Sequence, residues 1–201
     1  MTDCWRGTQL KWNSFWNPGP FFHFLEGPSG VVEANSDLAR DLVKRAENDM
    51  ELGIALHTFQ DTYSHAGFVG RWDKINQMGL TRRWLPKYGH TQMLQIPDRT
   101  ECQWTDSRTG DDIKNCIRFE DALLATYELL LPTPGFGGDR IGDILAVLLD
   151  KNYDNRKNRW AKIAGMSNIR FSKITDAMWA EHGPAFKQAA HDQYTYIKAV
   201  S

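Results

Sequence analysis

The chain has 201 residues, with 24 basic and 25 acidic residues and a formal net charge of −1. This length predicts a single domain, residues 1–201, with a core of its own, and the balanced charge lacks the basic excess of proteins that bind nucleic acid through phosphate contacts. No apolar run is long enough for a transmembrane helix and no signal peptide is visible, so we expect a cytoplasmic chain or a piece delivered or excised from a larger precursor.

The chain then reads as helices joined by long loops. Residues 1–35 are predicted to be irregular, because Pro and Gly cluster at 17–20 and 27–30. Ser36 or Asp37 can cap a first helix that carries an apolar stripe to Ala46. Asn48 or Asp49 can start a second helix that runs towards Gly67.

The second half of the chain continues this pattern. Residues 79–110 have little periodicity and several Pro and Gly residues, which predicts a long ordered loop of the kind that is often functional. Helical spacing returns at about 117–131, 139–148, 155–164 and 184–200. We find no alternating strand, so the sequence predicts an all-α helical bundle with long ordered loops that converge on the second helix.

That second helix carries the most informative pattern, His57, Asp61 and His65 at i, i+4 and i+8. All three side chains share one helix face, and imidazole and carboxylate groups are ligands for a zinc-type ion. The two histidines lie about 12 Å apart along the axis, which favours two ions with Asp61 shared between them. The alternative is a buried helix whose polar residues bond to neighbouring chain segments.

The residues around this motif also resemble a known family. The segment LGIALHTFQDTYSHAGFVGRWDKIN (52–76) is similar to the signature of an uncharacterised bacterial family with the core LHTxxDTxxHxxF, and FFHFLEG (21–27) and YGHTQMLQIPDRTECQW (88–104) resemble two further segments of it. That family is similar in turn to the all-α zinc-dependent phospholipase C and single-strand nuclease fold. The resemblance implies two or more zinc ions, although other divalent metals would fit. The implied ligands are His57, Asp61 and His65, then His90 and Asp98, then His23.

One departure from the family concerns the N-terminus. Members of the family begin with an extra helical segment that supplies a histidine and an acid-rich part of the site, whereas Asp3 is the only acid before the Phe-His-Phe match here. The resemblance therefore implies either a site with fewer metals than other members of the family have, or an upstream segment or partner chain that completes the site. A toxin or effector module released from a precursor would fit the second case.

These features predict a zinc-type hydrolase of phosphoesters, similar to phospholipase C, with a phosphoester or lipid headgroup as substrate. Asp61 and Asp98 are the candidate catalytic residues, because either carboxylate can orient a water nucleophile. The alternatives are an effector or partner-binding module with a structural or incomplete metal site, and a single-strand nuclease. A His-Asp phosphohydrolase is the weakest, since His191-Asp192 is the chain's one such dipeptide.

The sequence predicts less about the roles of the remaining cysteine and histidine residues. Cys4, Cys102 and Cys116 are too few for a disulfide framework, and a Cys102–Cys116 pair and free thiols are equally compatible with the sequence. His191 reads as a buried or supporting residue, and His182 as a surface residue at a helix end.

Overall fold

The computed structural model describes residues 19–79, 84–131, 141–148, 150, 152–163 and 176–201. Over these ranges the chain is mostly helical, and the all-α prediction is confirmed. The helices are α1 (Gly19–His23), α2 (Asp37–Arg45), α3 (Asp49–Ser64), α4 (Asn115–Leu130), α5 (Ile141–Leu148), α6 (Tyr153–Ile163) and α7 (Asp176–Val200). Single 3-10 turns lie at Lys74–Asn76 and Thr91–Met93.

The first two long helices begin where the sequence predicts. The Ser36 hydroxyl accepts a hydrogen bond from the backbone N–H of Ala39, and the Asn48 side chain accepts from the N–H groups of Met50 and Glu51. The Glu51 carboxylate in turn accepts from the backbone N–H of Glu47 at 2.8 Å. These contacts satisfy donors that a helix start leaves unpaired, and thereby fix the first residue of α3.

Helix α3 is the centre of the domain, because α1, α2, α4 and α7 all pack against it. Its buried residues Ala55, Phe59 and Tyr63 join one apolar cluster with residues of α2, α4 and α7. On another side, Ile54 packs with Phe22 of α1 and with Ala189 and Ala190 of α7. Burial on several sides makes α3 a rigid support for the polar residues it carries.

Three predictions about local structure were wrong. Residues 19–23 form a helix inside the segment expected to be irregular, while residues 1–18 lie outside the described part. A two-stranded antiparallel sheet, β1 (Gln103–Thr105) with β2 (Asp112–Lys114), interrupts the expected loop and pairs Trp104 with Ile113. The strands are too short to show a recognisable alternation.

The third error concerns the last helix, which begins at Asp176 rather than at Pro184. Proline is common at the first position of a helix, which favoured that later start, but here it lies inside α7. Cys102 and Cys116 are both free thiols, and Cys4 lies outside the described residues. Within the described ranges, no helix combines the length and the apolarity needed to cross a membrane.

Candidate metal centre

The predicted motif lies at the C-terminal end of α3. His57 and Asp61 are within the helix, and His65 is the residue directly after its last turn, where its backbone N–H donates to the carbonyl of Asp61 at 2.9 Å. Three further ligand-type residues reach this end of the helix from other parts of the chain. They divide the site into two groups, each with two imidazoles and one carboxylate whose ligand-type atoms lie within 4.8 Å of one another.

The first group consists of His23, His57 and Asp61. His23 is the last residue of α1, and its Nδ1 donates to Oδ2 of Asp61 at 2.6 Å. The same carboxylate oxygen lies 3.5 Å from Nε2 of His57. The two imidazole rings meet edge to face, with their centroids 4.9 Å apart.

The second group consists of His65, His90 and Asp98. Oδ1 of Asp98 lies 3.1 Å from Nε2 of His65 and 3.6 Å from Nε2 of His90. The two rings are 4.7 Å apart, and the ring of Phe24 stacks on His65 at 4.6 Å. His65 is almost completely buried, with 2% of its surface exposed.

Backbone carbonyls fix both imidazoles of the second group. Nδ1 of His65 donates to the carbonyl of His23 at 2.5 Å, and Nδ1 of His90 donates to the carbonyl of Leu94 at 2.7 Å. Because a carbonyl can only accept, both rings carry a proton on Nδ1 and turn Nε2 towards Asp98. This is how metal-binding histidines are usually held by their surroundings.

The contact between His65 and Asp98 needs a positive charge between its partners. With Nδ1 protonated, a neutral His65 would point a lone pair at the carboxylate, so a proton or a metal ion must lie between Nε2 and Oδ1 of Asp98. Burial favours the neutral ring, but the carboxylates of Asp61 and Asp98 outweigh burial and raise the pKa of His65. The donor set therefore fits a cation at this position.

In the first group the pKa of His57 shifts in the opposite direction to that of His65. Nε2 of His57 is buried without a hydrogen-bond partner, which is costly for a polar nitrogen. Burial, reinforced by His23 and His65, lowers the pKa of His57, while Asp61 opposes the shift. A neutral imidazole whose buried nitrogen has no hydrogen-bond partner is able to bind a cation.

The pKa values of Asp61 and His90 are also set by the balance between burial and neighbouring charges. Burial works against ionisation of Asp61, but the nearby His65, His23 and His57 outweigh it and lower the pKa of its carboxyl. Burial and the neighbouring His65 lower the pKa of His90. An anionic carboxylate such as Asp61 and a neutral imidazole such as His90 are each in the protonation state that divalent metals bind.

The spacing also matches a small cation. Ligands about 2.0–2.1 Å from a tetrahedral zinc ion lie roughly 3.3 Å from one another. The separations of 3.1 and 3.6 Å in the second group bracket this value. In the first group, the 2.6 Å between His23 and Asp61 is shorter, so that pair must move apart to admit an ion.

The loop that carries His90 and Asp98 is held by buried amide side chains. Nδ2 of Asn115 donates to the carbonyls of Ile96 and Arg99, which flank Asp98 on either side. Gln92 accepts from the backbone N–H of Met78 and donates to the carbonyl of Leu85. These amides supply in a loop the backbone hydrogen bonds that a helix would form for itself.

A second fixed element is the backbone of Leu94. Its φ of 55° lies in the left-handed region that a bulky residue rarely adopts. This turn directs its carbonyl to Nδ1 of His90. Sequence reasoning did not find Asn115, Gln92 or Leu94, because an amide at a helix start, or an amide or leucine in a polar loop, carries no signal of burial or of positive φ.

The structure brings together all six predicted residues, His23, His57, Asp61, His65, His90 and Asp98. It assigns them differently from the expected arrangement, since each group has its own carboxylate and Asp61 belongs with His23 and His57 rather than serving both. His182 and His191 belong to neither group. Both are exposed on α7, where His182 lies within the helix rather than at its end, and His191 is not a buried residue.

The fold and the site define an all-α protein with two His/Asp groups that can hold metal ions. The chain belongs to a family of unknown function, DUF6765, whose model matches residues 3–199. No curated protein and no solved structure matches the chain.

Proposed function

We propose that this protein is a zinc-type, metal-dependent hydrolase of phosphoesters, similar to phospholipase C, in which each His/Asp group holds one ion. The observation that carries the proposal is the convergence of four imidazoles and two carboxylates from separate parts of the chain on the end of α3. The buried, unpartnered Nε2 of His57 supports it, because nothing else among the described residues satisfies that nitrogen.

The number of ligands favours catalysis over a structural metal. Structural zinc sites usually have four protein ligands, whereas catalytic sites have three and leave a position for water or substrate. Each group here has three ligand-type residues among those described. The same count argues against the partner-binding module with a closed site.

The ligand chemistry favours zinc within the range of divalent metals. Imidazole with carboxylate suits zinc, while calcium and magnesium prefer sites made of oxygen atoms. A pair of such ions, when bound, lowers the pKa of a water molecule and stabilises negative charge on phosphoryl oxygens.

The protein's own residues would supply orientation and a proton acceptor. The carbonyls of His23 and Leu94 hold two imidazoles in place. Asp61 and Asp98 lie at the centres of their groups, where a carboxylate can accept a proton from an attacking water. Burial of His65, with the partly buried ring of Phe24 stacked on it, limits competing solvent near this point.

The test is hydrolysis of a phosphocholine ester and of single-stranded DNA by the metal-stripped protein before and after zinc is added. We expect zinc-dependent turnover of the phosphocholine ester, lowered at least about 100-fold in Asp61→Asn and Asp98→Asn. The matched control is Asp192→Asn, which removes an exposed carboxylate of α7 that accepts from Gln188 and belongs to neither group.

Each result has a distinct meaning. Zinc-dependent cleavage of single-stranded DNA without cleavage of the phosphocholine ester would show a nuclease rather than a phospholipase-like enzyme. A loss of activity in Asp192→Asn equal to that in Asp61→Asn would favour the His-Asp dipeptide of α7 as the catalytic site instead. No zinc-dependent turnover of either substrate would overturn the proposal.

A further inference from the structure

An exposed apolar surface lies on the chain segment that leads to His90. Its members are Trp72, Ile75, Trp84, Tyr88 and Leu94, and we call them the Trp72–Leu94 surface. Trp84 is 80% exposed and Trp72 69% exposed, although tryptophan is highly buried on average in folded proteins. Other large exposed apolar residues of the described chain are spread over α4 and the C-terminus. Large apolar groups gathered on one segment indicate a binding surface more than singly scattered ones do.

Backbone contacts join this surface to the second metal group. Trp72 pairs with Tyr88 in an antiparallel bridge, and the N–H of Asp73 donates to the carbonyl of Lys87 at 2.9 Å. Tyr88 precedes His90 by two residues, and Leu94 provides the carbonyl that orients the His90 ring. The segment that carries this surface is therefore connected through its backbone to the candidate metal centre.

The charge of this segment differs from that of the whole chain. Residues 71–88 contain five basic residues, Arg71, Lys74, Arg82, Arg83 and Lys87, against one acidic residue, Asp73, whereas the whole protein has a net charge of −1. Arg71 is paired with Glu26 and Asp73, while Lys74 is exposed and belongs to neither pair. The described part of the surface thus combines exposed indole rings with nearby positive charge.

We propose that the Trp72–Leu94 surface binds an anionic lipid surface. Tryptophan suits the boundary between lipid and water, because its ring is apolar and its N–H can stay hydrated. Basic residues beside it are attracted to anionic headgroups, and this combination is the usual one for peripheral membrane contact. Binding of this kind does not depend on hydrolysis and stands apart from the proposed function.

Vesicle flotation of the full chain tests the proposal, with vesicles of phosphatidylcholine mixed with phosphatidylglycerol and vesicles of phosphatidylcholine alone. We expect the wild type to float with the anionic vesicles, with and without zinc, and to float less at high salt. The double variant Trp72→Ala/Trp84→Ala should bind at least about tenfold more weakly, since two indole rings are lost from the contact. The matched control is Leu124→Ala/Leu131→Ala, which removes exposed apolar side chains from the α4 region.

A charge variant keeps the test decisive if the tryptophan variant does not fold. Lys74→Glu should weaken binding to anionic vesicles, whereas Lys44→Glu, at a lysine near the end of α2 that is also exposed, should not. Equal flotation of wild type and both surface variants would overturn the proposal. So would binding to a single-stranded oligonucleotide but not to vesicles, or a dimer that the tryptophan variant abolishes while vesicles are not bound.

Discussion

His65 donates a hydrogen bond from Nδ1 to the backbone carbonyl of His23, at 2.5 Å. Through this one contact a ligand-type residue of the second group is oriented by the main chain of a residue in the first. The two groups are thus parts of one constellation around the end of α3, and neither can shift far without the other.

Substitutions confined to one group should nevertheless separate the two sites. We expect the zinc-reconstituted wild type to bind two ions per chain, and His57→Ala and His90→Ala to bind one each, because each loses a ligand from only one group. The measurement is metal analysis of the purified protein with a zinc titration. Since the second group already has the ligand spacing of a zinc ion, His90→Ala should remove the tighter site.

The matched control for this experiment is His182→Ala, an exposed histidine that belongs to neither group. It should bind as much zinc as the wild type. Zinc contents that are equal in the wild type, His57→Ala and His90→Ala would show that these residues hold no metal.

The glycine before His90 should be intolerant of a side chain. A Cβ on Gly89 would lie 2.3 Å from Cζ of Phe24, the ring that stacks on His65, and the φ of Gly89 is 50°. We expect Gly89→Ala to lower the free energy of unfolding by about 1–3 kcal/mol and to weaken zinc binding at the second group. Denaturant unfolding and a zinc titration measure the two effects.

Two comparisons separate the clash from the strain in the backbone. Gly110 also has a positive φ, but a Cβ there meets no atom within 4 Å, so Gly110→Ala reports the strain alone. In Phe24→Ala the clash is relieved, and the double variant should cost less than the sum of the two single changes. Additive costs would mean that Phe24 and Gly89 do not contact each other as described.

Local sequence pattern was sufficient to predict α3 and the shared face of its three ligand-type residues. A spacing of i, i+4 and i+8 defines one helix face, and the candidate caps, Ser36 or Asp37 and Asn48 or Asp49, placed the starts of α2 and α3 to within one residue. The residues His23, His90 and Asp98 are different, since their positions depend on hydrogen bonds between distant segments. Their identity came from the resemblance, and the grouping of Asp98 rather than Asp61 with His65 came only from the three-dimensional structure.

The amide of Asn115 should be as important to the second group as a ligand. It donates to the carbonyls of Ile96 and Arg99 around Asp98, and its oxygen accepts from Nε1 of Trp104 at 3.1 Å. Asn115→Ala leaves these groups unpaired in a buried position, which should cost about 1–3 kcal/mol of unfolding free energy. It should also weaken zinc binding at the second group while leaving the first group occupied.

Thermal unfolding and metal analysis test this prediction. Asn155→Ala, at an exposed asparagine of α6, is the matched control and should stay within about 0.5 kcal/mol of the wild type. Unchanged stability and unchanged zinc content in Asn115→Ala would show that the loop does not need this amide to place Asp98.

Asp106 should make the stability of the turn after α3 dependent on pH. Its carboxylate accepts from Nε of Arg108 at 2.8 Å, and Nη1 of the same arginine donates to the carbonyls of Gly67 and Ile75. Burial opposes ionisation, but the hydrogen bonds and charge of Arg108 outweigh it and lower the pKa of Asp106 from the ordinary value of 3.8. A lowered pKa in the folded state means that the stabilisation is present above 3.8 and is lost as the pH falls through the folded value.

Asp106→Asn should therefore lower the unfolding free energy at neutral pH by about 1–3 kcal/mol, because Arg108 is left without its charged partner. The difference between wild type and variant should shrink as the pH falls below about 4, where the wild-type carboxyl takes up its proton. Urea unfolding across this range measures it, with Asp112→Asn, an exposed carboxylate of β2, as the control. A difference that stays constant with pH would show that Asp106 acts through shape and neutral hydrogen bonds rather than through its charge.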